Sequence, residues 1–337
     1  MSITYFPILK WKKGEQGALN HLLVEKQCFI PIIELYDDLS PQEFLTQLES
    51  CYSGPVYVDT ISIDDDSRSR IKDFADLAAK LGNEVFPLIY PSDISQEANF
   101  CENFSRFAIK LSIPEDYDGE SNIQILTGAK RKKAPDQIVD VILDAGEILS
   151  RPEANQSFVN YKNTLDTLLS DSNWINKIAV CLTSFPVSLS IDSGCNAEFD
   201  RFDFGVFCAL LSRYKNEHLA FSDYGVTKFT ETELDFSRMR YGPLPKIKYT
   251  TPDKYICLKG QKARRPGEHN RTYLDMAKEI AASGYFSGRD FSYGDKAIYE
   301  KATAQDVRPG GPTNWVEYNA NHHMALVVSQ LSNLCGT

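Results

Sequence analysis

No stretch of this 337-residue chain approaches the ~18 uninterrupted apolar residues that a membrane-spanning helix requires, so no membrane association is expected. The phosphate-cradling loop GxxxxGK followed by Ser or Thr is missing, as are the GxSxG nucleophile elbow and the HExxH zinc helix. The common ATPases, the esterases of that fold and the zinc proteases therefore lose support. No glycine-rich dinucleotide turn follows the first apolar run, so no nucleotide-cofactor motif is present. The cysteines, at 28, 51, 101, 181, 195, 208, 257 and 335, form no close pair of the structural zinc type. Cys181 and Cys208 sit inside apolar runs as small hydrophobes, and a reducing, cytoplasmic compartment is the expectation. Met1 to Thr4 lead directly into an apolar run without the features of an export leader, and no flexible Gly/Ser linker divides the chain. Positive charge is in deficit, with 36 Lys and Arg against 46 Asp and Glu. The net charge of −10 argues against nucleic acid binding over the whole surface but leaves room for local patches.

What the sequence does contain is a repeated pattern of short apolar runs that each end at a polar or reactive side chain. Tyr5–Leu9 leads to Lys10, Phe29–Ile33 to Glu34, Val56–Val58 to Asp59, Val85–Ile89 to Tyr90 and Phe107–Ile109 to Lys110. Val139–Leu143 leads to Asp144, Ile178–Leu182 to Thr183 and Ser184, and Leu219–Phe221 to Ser222 and Asp223. Segments with helical period separate the runs: Gly14 to Gln27, a segment opened by Ser40-Pro41, and Asp65 to Leu81. Strand followed by helix, recurring every ~25–40 residues, implies βα units and a parallel sheet. The repeat count, together with the missing dinucleotide turn, selects a TIM-like (β/α)8 barrel over an open doubly wound sheet. Residues 1–245 then form the barrel core. Residues 246–337 form a loop-rich C-terminal elaboration packed on it, with a β-hairpin (Lys246–Tyr249 and Lys254–Lys259), a helix over Tyr273–Ser283 and a last helix over His323–Leu334.

A parallel barrel gathers its strand ends at one mouth, where enzymes of this architecture place their chemistry. Glu34, Asp59, Asp144 and Asp223 are the carboxylates expected there. Glu34, Asp59 and Asp144 supply hard oxygen donors suited to Mg2+ or Mn2+, which could polarise a phosphodiester or ready a water for attack. Strand-end acids also cap the following helix, and both roles stay open. Lys10 and Lys110 either bind phosphate or supply an amine, or they form ion pairs across the mouth. One of His322 and His323 can act as general acid–base with Asp295 orienting its other nitrogen, His323 being the catalytic candidate. Neighbouring histidines in a helix do not share a face, which speaks against metal binding by both. Tyr90, Ser184, Tyr224, Asn321 and His322 are further ligand-binding candidates. Arg264 and Arg265 are others, in a basic loop with Lys259, Lys262 and Arg271 that could meet phosphate or be plain solvated loop. Lys130-Arg131-Lys132-Lys133 reads as a helix C-terminus, where positive charge is favourable.

Two sets of motifs carry a resemblance. The opening Phe6-Pro7-Ile8-Leu9-Lys10-Trp11-Lys12-Lys13-Gly14-Glu15 and Pro31-Ile32-Ile33-Glu34 are similar to the start of the beta-protein family, named after a T-even bacteriophage protein. Tyr285-Phe286-Ser287-Gly288, Phe291-Ser292-Tyr293-Gly294-Asp295, Trp315 and Asn321-His322-His323 resemble its closing motifs in the same order, while residues 112–215 carry little of the likeness. The resemblance implies a role in phage–host conflict, as defence or counter-defence, and brings no reaction with it. Two readings follow. One is a metal-assisted hydrolase of a phosphodiester or nucleotide, acting on a phosphate-bearing small molecule or nucleic acid. The other is a non-catalytic barrel that binds a phage or host protein or senses a small ligand. Asp290, Ser292 and Asp295 are expected to meet Asn321, His322 and His323 and to cover or complete the mouth.

Overall fold

The alternation of apolar runs and amphipathic segments closes into a parallel barrel. A computed structural model describes residues 3–24, 28–35, 39–60, 67–91, 94, 104–113, 119–215, 218–226, 244–263 and 267–335. The barrel strands are β1 (Tyr5–Lys10), β2 (Ile32–Glu34), β3 (Val56–Asp59), β4 (Val85–Ile89), β5 (Arg106–Ser112), β6 (Ile138–Glu147), β7 (Lys177–Thr183) and β9 (Leu219–Asp223). Each pairs in parallel with the next, and β9 returns to β1 through Tyr5↔Phe221, Phe6↔Ser222 and Pro7↔Asp223. Around the barrel lie α1 (Lys13–Asn20), α2 (Pro41–Cys51), α3 (Ser67–Leu81), α4 (Gly119–Lys132), α5 (Arg151–Leu168) and α6 (Phe202–Tyr214).

Side chains alternate across each strand. Phe6, Ile8, Ile32, Tyr57, Leu88, Ala108, Ile142, Ala179, Cys181 and Ala220 fill the barrel interior. Tyr5, Leu9, Ile33, Val58, Ile109, Val141, Val180 and Phe221 face outward beneath the helices and belong to the larger core. The lower end of the interior is closed by a polar plug: Asp140 accepts from Arg106 Nη2 at 2.6 Å, from Asn176 Nδ2 at 2.7 Å and from the Tyr57 hydroxyl.

The Ser40-Pro41 signal is realised as a capping box, with Glu43 N–H donating to Ser40 Oγ and the Glu43 carboxylate accepting from Ser40 N–H. The first helix is shorter than expected. It ends at Asn20 instead of running to Gln27, with Leu22 N–H making a tighter i−3 bond to Leu19 C=O and Leu23 almost fully exposed. The basic run does end a helix, α4, and Lys130 pairs there with Asp171 at 2.6 Å.

The hairpin is found as β10 (Lys246–Thr250) and β11 (Lys254–Lys259), and it gains a third, antiparallel strand, β8 (Asn196–Asp200), from the β7–α6 connection. Alternating exposed and half-buried residues along β8 gave it a weak sequence signal. Beyond lie α7 (Tyr273–Ala281), α8 (Tyr293–Thr303) and α9 (Pro312–Cys335). The final helix starts 11 residues before the expected His323, because the polar residues that seemed to precede it are buried with partners: Asn321 accepts from Gly294 N–H and donates to Ala18 C=O, both at 3.0 Å. Among the described residues no helix is long and apolar enough to cross a membrane.

Candidate active site at the barrel mouth

The interior alternation continues one step past the apolar layer at the C-terminal end of the strands. Two residues beyond Ile8, Ile32, Tyr57, Leu88, Ala108 and Ile142 come Lys10, Glu34, Asp59, Tyr90, Lys110 and Asp144, and Tyr224 joins them two residues past Ser222. Strand register aligns Lys10 with Glu34 and Glu34 with Asp59, so these three stand side by side on β1, β2 and β3. Asp59 is 2% exposed and Lys10, Glu34, Lys110 and Asp144 are 7–9% exposed, so their charges interact in a poorly solvated setting.

The far side of the ring is bound together. Lys110 Nζ lies 3.4 Å from Asp144 Oδ2 and donates to the Tyr224 hydroxyl at 3.2 Å, and that hydroxyl donates to Asp144 Oδ2. Burial acts to lower the Lys110 ammonium, but the charges of Asp144, Asp59 and Glu34 outweigh it and hold the group above the ordinary lysine range. Lys110 is therefore a fixed cation, which favours anion binding over amine nucleophilicity. Tyr90 donates to Asp59 Oδ2 at 2.7 Å; burial first, then Asp59, raises the phenol well above its usual value.

Asp144 also serves the backbone. Its Oδ1 accepts from Gly146 N–H at 2.9 Å, as Asp223 Oδ1 accepts from Gly225 N–H at 3.0 Å. Both turns need glycine because Gly146 and Gly225 have φ of 69° and 57°. The capping role weighed for strand-end acids is thus met as a turn, and it leaves Asp144 Oδ2 pointing into the ring.

Asp223 does not join the ring. It faces outward with Phe221, where it accepts from the Tyr5 hydroxyl at 2.7 Å and meets His323 Nε2 at 2.9 Å. His323 Nδ1 in turn lies 3.0 Å from Thr250 Oγ1. Burial would raise the Asp223 carboxyl, but the His323 charge and the hydrogen bonds from His323, Tyr5 and Gly225 hold it below its usual value. Asp223, His323 and Thr250 are each fully buried, so this Asp–His–Thr line joins the barrel wall to α9 and the hairpin.

The two C-terminal clusters meet. His322 Nδ1 lies 2.7 Å from Asp295 Oδ2 and Nε2 lies 2.7 Å from Thr250 C=O, while Tyr249 and Ser292 donate to the same carboxylate at 2.7 and 2.6 Å. The Tyr249 ring stacks on His322 with centroids 4.1 Å apart. Because the carbonyl can only accept, His322 Nε2 is the donor to Thr250 C=O, and Nδ1 is the ring nitrogen that faces Asp295. Asp295 thus orients His322 and not His323. Asp290 is exposed and lies 3.7 Å from Arg289, apart from this network.

Ser184 is likewise spent on the fold: its hydroxyl accepts from Asp203 N–H at 2.8 Å at the start of α6, and its own N–H donates to Asp203 Oδ2. Arg264 and Arg265 lie outside the described residues. In the same basic stretch, Arg271 pairs with Glu279 at 2.5 Å and Lys259 donates to Ile191 C=O, which ties the stretch to its neighbours.

Sequence reasoning missed Glu15, a buried carboxyl beside Lys10, and the Arg201–Asp203–Tyr255 group, in which Tyr255 donates to Asp203 Oδ2 at 2.6 Å. Glu15 had one available signal, an acid in the first turn of a helix directly after a strand-end lysine. Among the described residues, no three His, Cys, Asp or Glu side chains are grouped so as to hold a metal ion by themselves. No curated protein and no solved structure matches the chain. A family model does match, described as Beta protein and covering residues 5–329, and with nearly its whole length matched the chain belongs to the beta-protein family.

Proposed function

We propose that this family member acts in phage–host conflict as a hydrolase of a phosphodiester or nucleotide bond at its barrel mouth. Family membership points to a phage-associated protein. The observation that carries the enzymatic reading is the inward layer of Lys10, Glu34, Asp59, Tyr90, Lys110, Asp144 and Tyr224 at the C-terminal strand ends, the position this architecture uses for catalysis. Lys110 and Lys10 supply positive charge for a phosphate. Asp144, held by Tyr224 and Lys110, is placed to accept a proton from an attacking water.

Glu34 and Asp59, in register on adjacent strands, fit a hard divalent cation with two oxygen donors. Mg2+ or Mn2+ held in this way takes the rest of its shell from water and substrate phosphate, a usual arrangement for Mg2+ at phosphoryl sites. When bound it would polarise the phosphoryl oxygens. The net charge of −10 favours a small phosphate-bearing substrate over a long nucleic acid.

The test is thermal unfolding with Mg2+ or Mn2+, each with and without a nucleoside diphosphate, followed by assay for phosphate release. Joint stabilisation by metal and nucleotide, lost in Glu34→Gln and Asp59→Asn, is expected. Stabilisation without turnover would favour a ligand-sensing barrel. No stabilisation by any combination would remove the phosphate reading.

A further inference from the structure

Behind the mouth lies a cavity of about 10 Å³, room for about one water molecule, that joins two members of the ring to two groups outside it. Lys10 and Tyr224 line it from the barrel, Glu15 from the first turn of α1 and His323 from α9. Glu15 is 4% exposed. Among the described residues no side chain donates a hydrogen bond to it or pairs with it within salt-bridge distance, and its own amide is its hydrogen-bonding contact.

Helix capping does not require such burial, since Glu43 performs it on α2 while exposed. Desolvation raises the Glu15 carboxyl to about 7, opposed by its own amide and by the charges of Lys10, Lys12 and Lys248. The charged and titratable groups that face it are thus Lys10 on β1, Lys12 before α1, Lys248 on β10, Tyr224 after β9 and His323 on α9.

We propose that Glu15 is a further functional residue of the mouth: a buried carboxyl coupled to Lys10, which takes up a proton from solvent when a phosphate-bearing anion settles on Lys10. Lys10 stands in register with Glu34 on the neighbouring strand, and its ammonium charge opposes the desolvation of Glu15. An arriving dianion competes for that ammonium and adds negative charge nearby, and neutralising the poorly solvated Glu15 relieves the repulsion. The proton converts carboxylate to carboxylic acid, and no other bond changes. The ligand class rests on the phosphate reading of the mouth, whereas the Glu15–Lys10 coupling does not.

The test has two arms. In the first, the carboxylic C=O band of Glu15, identified as the infrared band lost in Glu15→Gln, is titrated with pH. A midpoint near 7 is expected. It should rise by about one pH unit in Lys10→Met and stay in place in Lys10→Arg, which keeps the charge. A wild-type midpoint at the ordinary glutamate value of about 4.3, or an unchanged midpoint in Lys10→Met, overturns the proposal. Should Lys10→Met fail to fold, the wild-type midpoint and the Arg variant decide.

In the second arm, inorganic phosphate with Mg2+ is titrated calorimetrically at pH 7 in buffers of different ionisation enthalpy. The phosphate's own ionisation contributes equally in both proteins, so the wild type is expected to take up about 0.3–0.5 proton more per bound phosphate than Glu15→Gln. Binding with the same proton count in wild type and Glu15→Gln overturns the proposal. Absence of phosphate binding overturns the ligand class and with it the phosphate reading of the mouth, while the infrared arm still decides the coupling.

Discussion

Strand β6 carries two buried aspartates, Asp140 at the lower end of the barrel and Asp144 at the mouth, and replacing each with asparagine separates stability from function. Asp140→Asn keeps the side-chain shape but removes the charge that holds Arg106, whose Nη2 and Nε lie 2.6 and 3.2 Å away. Removing one partner of a buried pair costs ~3–5 kcal/mol, because the other charge is left uncompensated. The Arg106 side chain is 13% exposed, so water relieves it in part and the lower end, ~3 kcal/mol, applies. At the mouth the balance differs. Glu34, Asp59 and Asp144 face Lys10 and Lys110, three negative charges against two positive, so Asp144→Asn takes the ring from −1 to 0. Lys110 keeps Asp59 and Glu34 nearby, and the amide oxygen can still accept from Gly146 or Tyr224, which limits the cost to about 1 kcal/mol. Urea unfolding followed by circular dichroism, with unchanged slopes for the variants, measures both values. A loss in Asp144→Asn equal to or larger than that in Asp140→Asn would refute the assignment of the lower plug to stability and of the mouth to chemistry.

The Glu15 carboxyl is raised from 4.5 to about 7, so its stabilising contribution is full below pH 4.5 and is lost as pH rises to about 7. At 1.36 kcal/mol per pH unit the loss is of order 3 kcal/mol; Glu15→Gln should lack it and be the more stable protein above pH 7 in parallel urea titrations. Asp223 has the opposite sign: it stabilises above its unfolded value of 3.8 and ceases to do so as pH falls through its lower folded value. The gap between wild type and Asp223→Asn at pH 7 should accordingly close in acid, and a gap constant with pH would contradict the ion-paired assignment. Gly294→Ala would drive a methyl group into the Tyr318 backbone carbonyl where α8 crosses α9. A loss of ~2–3 kcal/mol with early local unfolding of the C-terminal segment by hydrogen exchange is expected, and wild-type protection would show that the crossing is looser than described.

The barrel could be read from sequence because all eight of its strands end at a turn signal or an ionisable group, and the hairpin because Pro252-Asp253 punctuates it. Which strand-end residue faces inward was harder to read. In β9 the run Leu219-Ala220-Phe221-Ser222-Asp223 is buried on both faces, so no polar alternation marks Asp223 as outward and Tyr224 as inward. Ser184 shows the same difficulty: it is a strand-end hydroxyl, but its partner is Asp203, 19 residues on. His322 and His323 did point in different directions, as helix geometry requires, but within a helix and not at its start. The residues they satisfy, Asp295, Thr250 and Asp223, are 27 to 100 positions away. Glu15 was missed because its burial arises from the approach of α9, which nothing local to α1 announces.

Closure of the ring has a consequence for how the chain is made. β1 finds its second neighbour only when Phe221, Ser222 and Asp223 have been synthesised, and the Tyr5–Asp223 contact is completed by His323 a further 100 residues on. Asn321 reaches back 303 positions to Ala18. Until then the nascent sheet exposes the unpaired edge of β1 to whatever else is emerging, and α9, through His323 and Asp223, fastens the first strand. Contacts of such sequence separation are slow to form, so the arrival of β9 and α9, and not the folding of any single βα unit, sets when the barrel becomes whole.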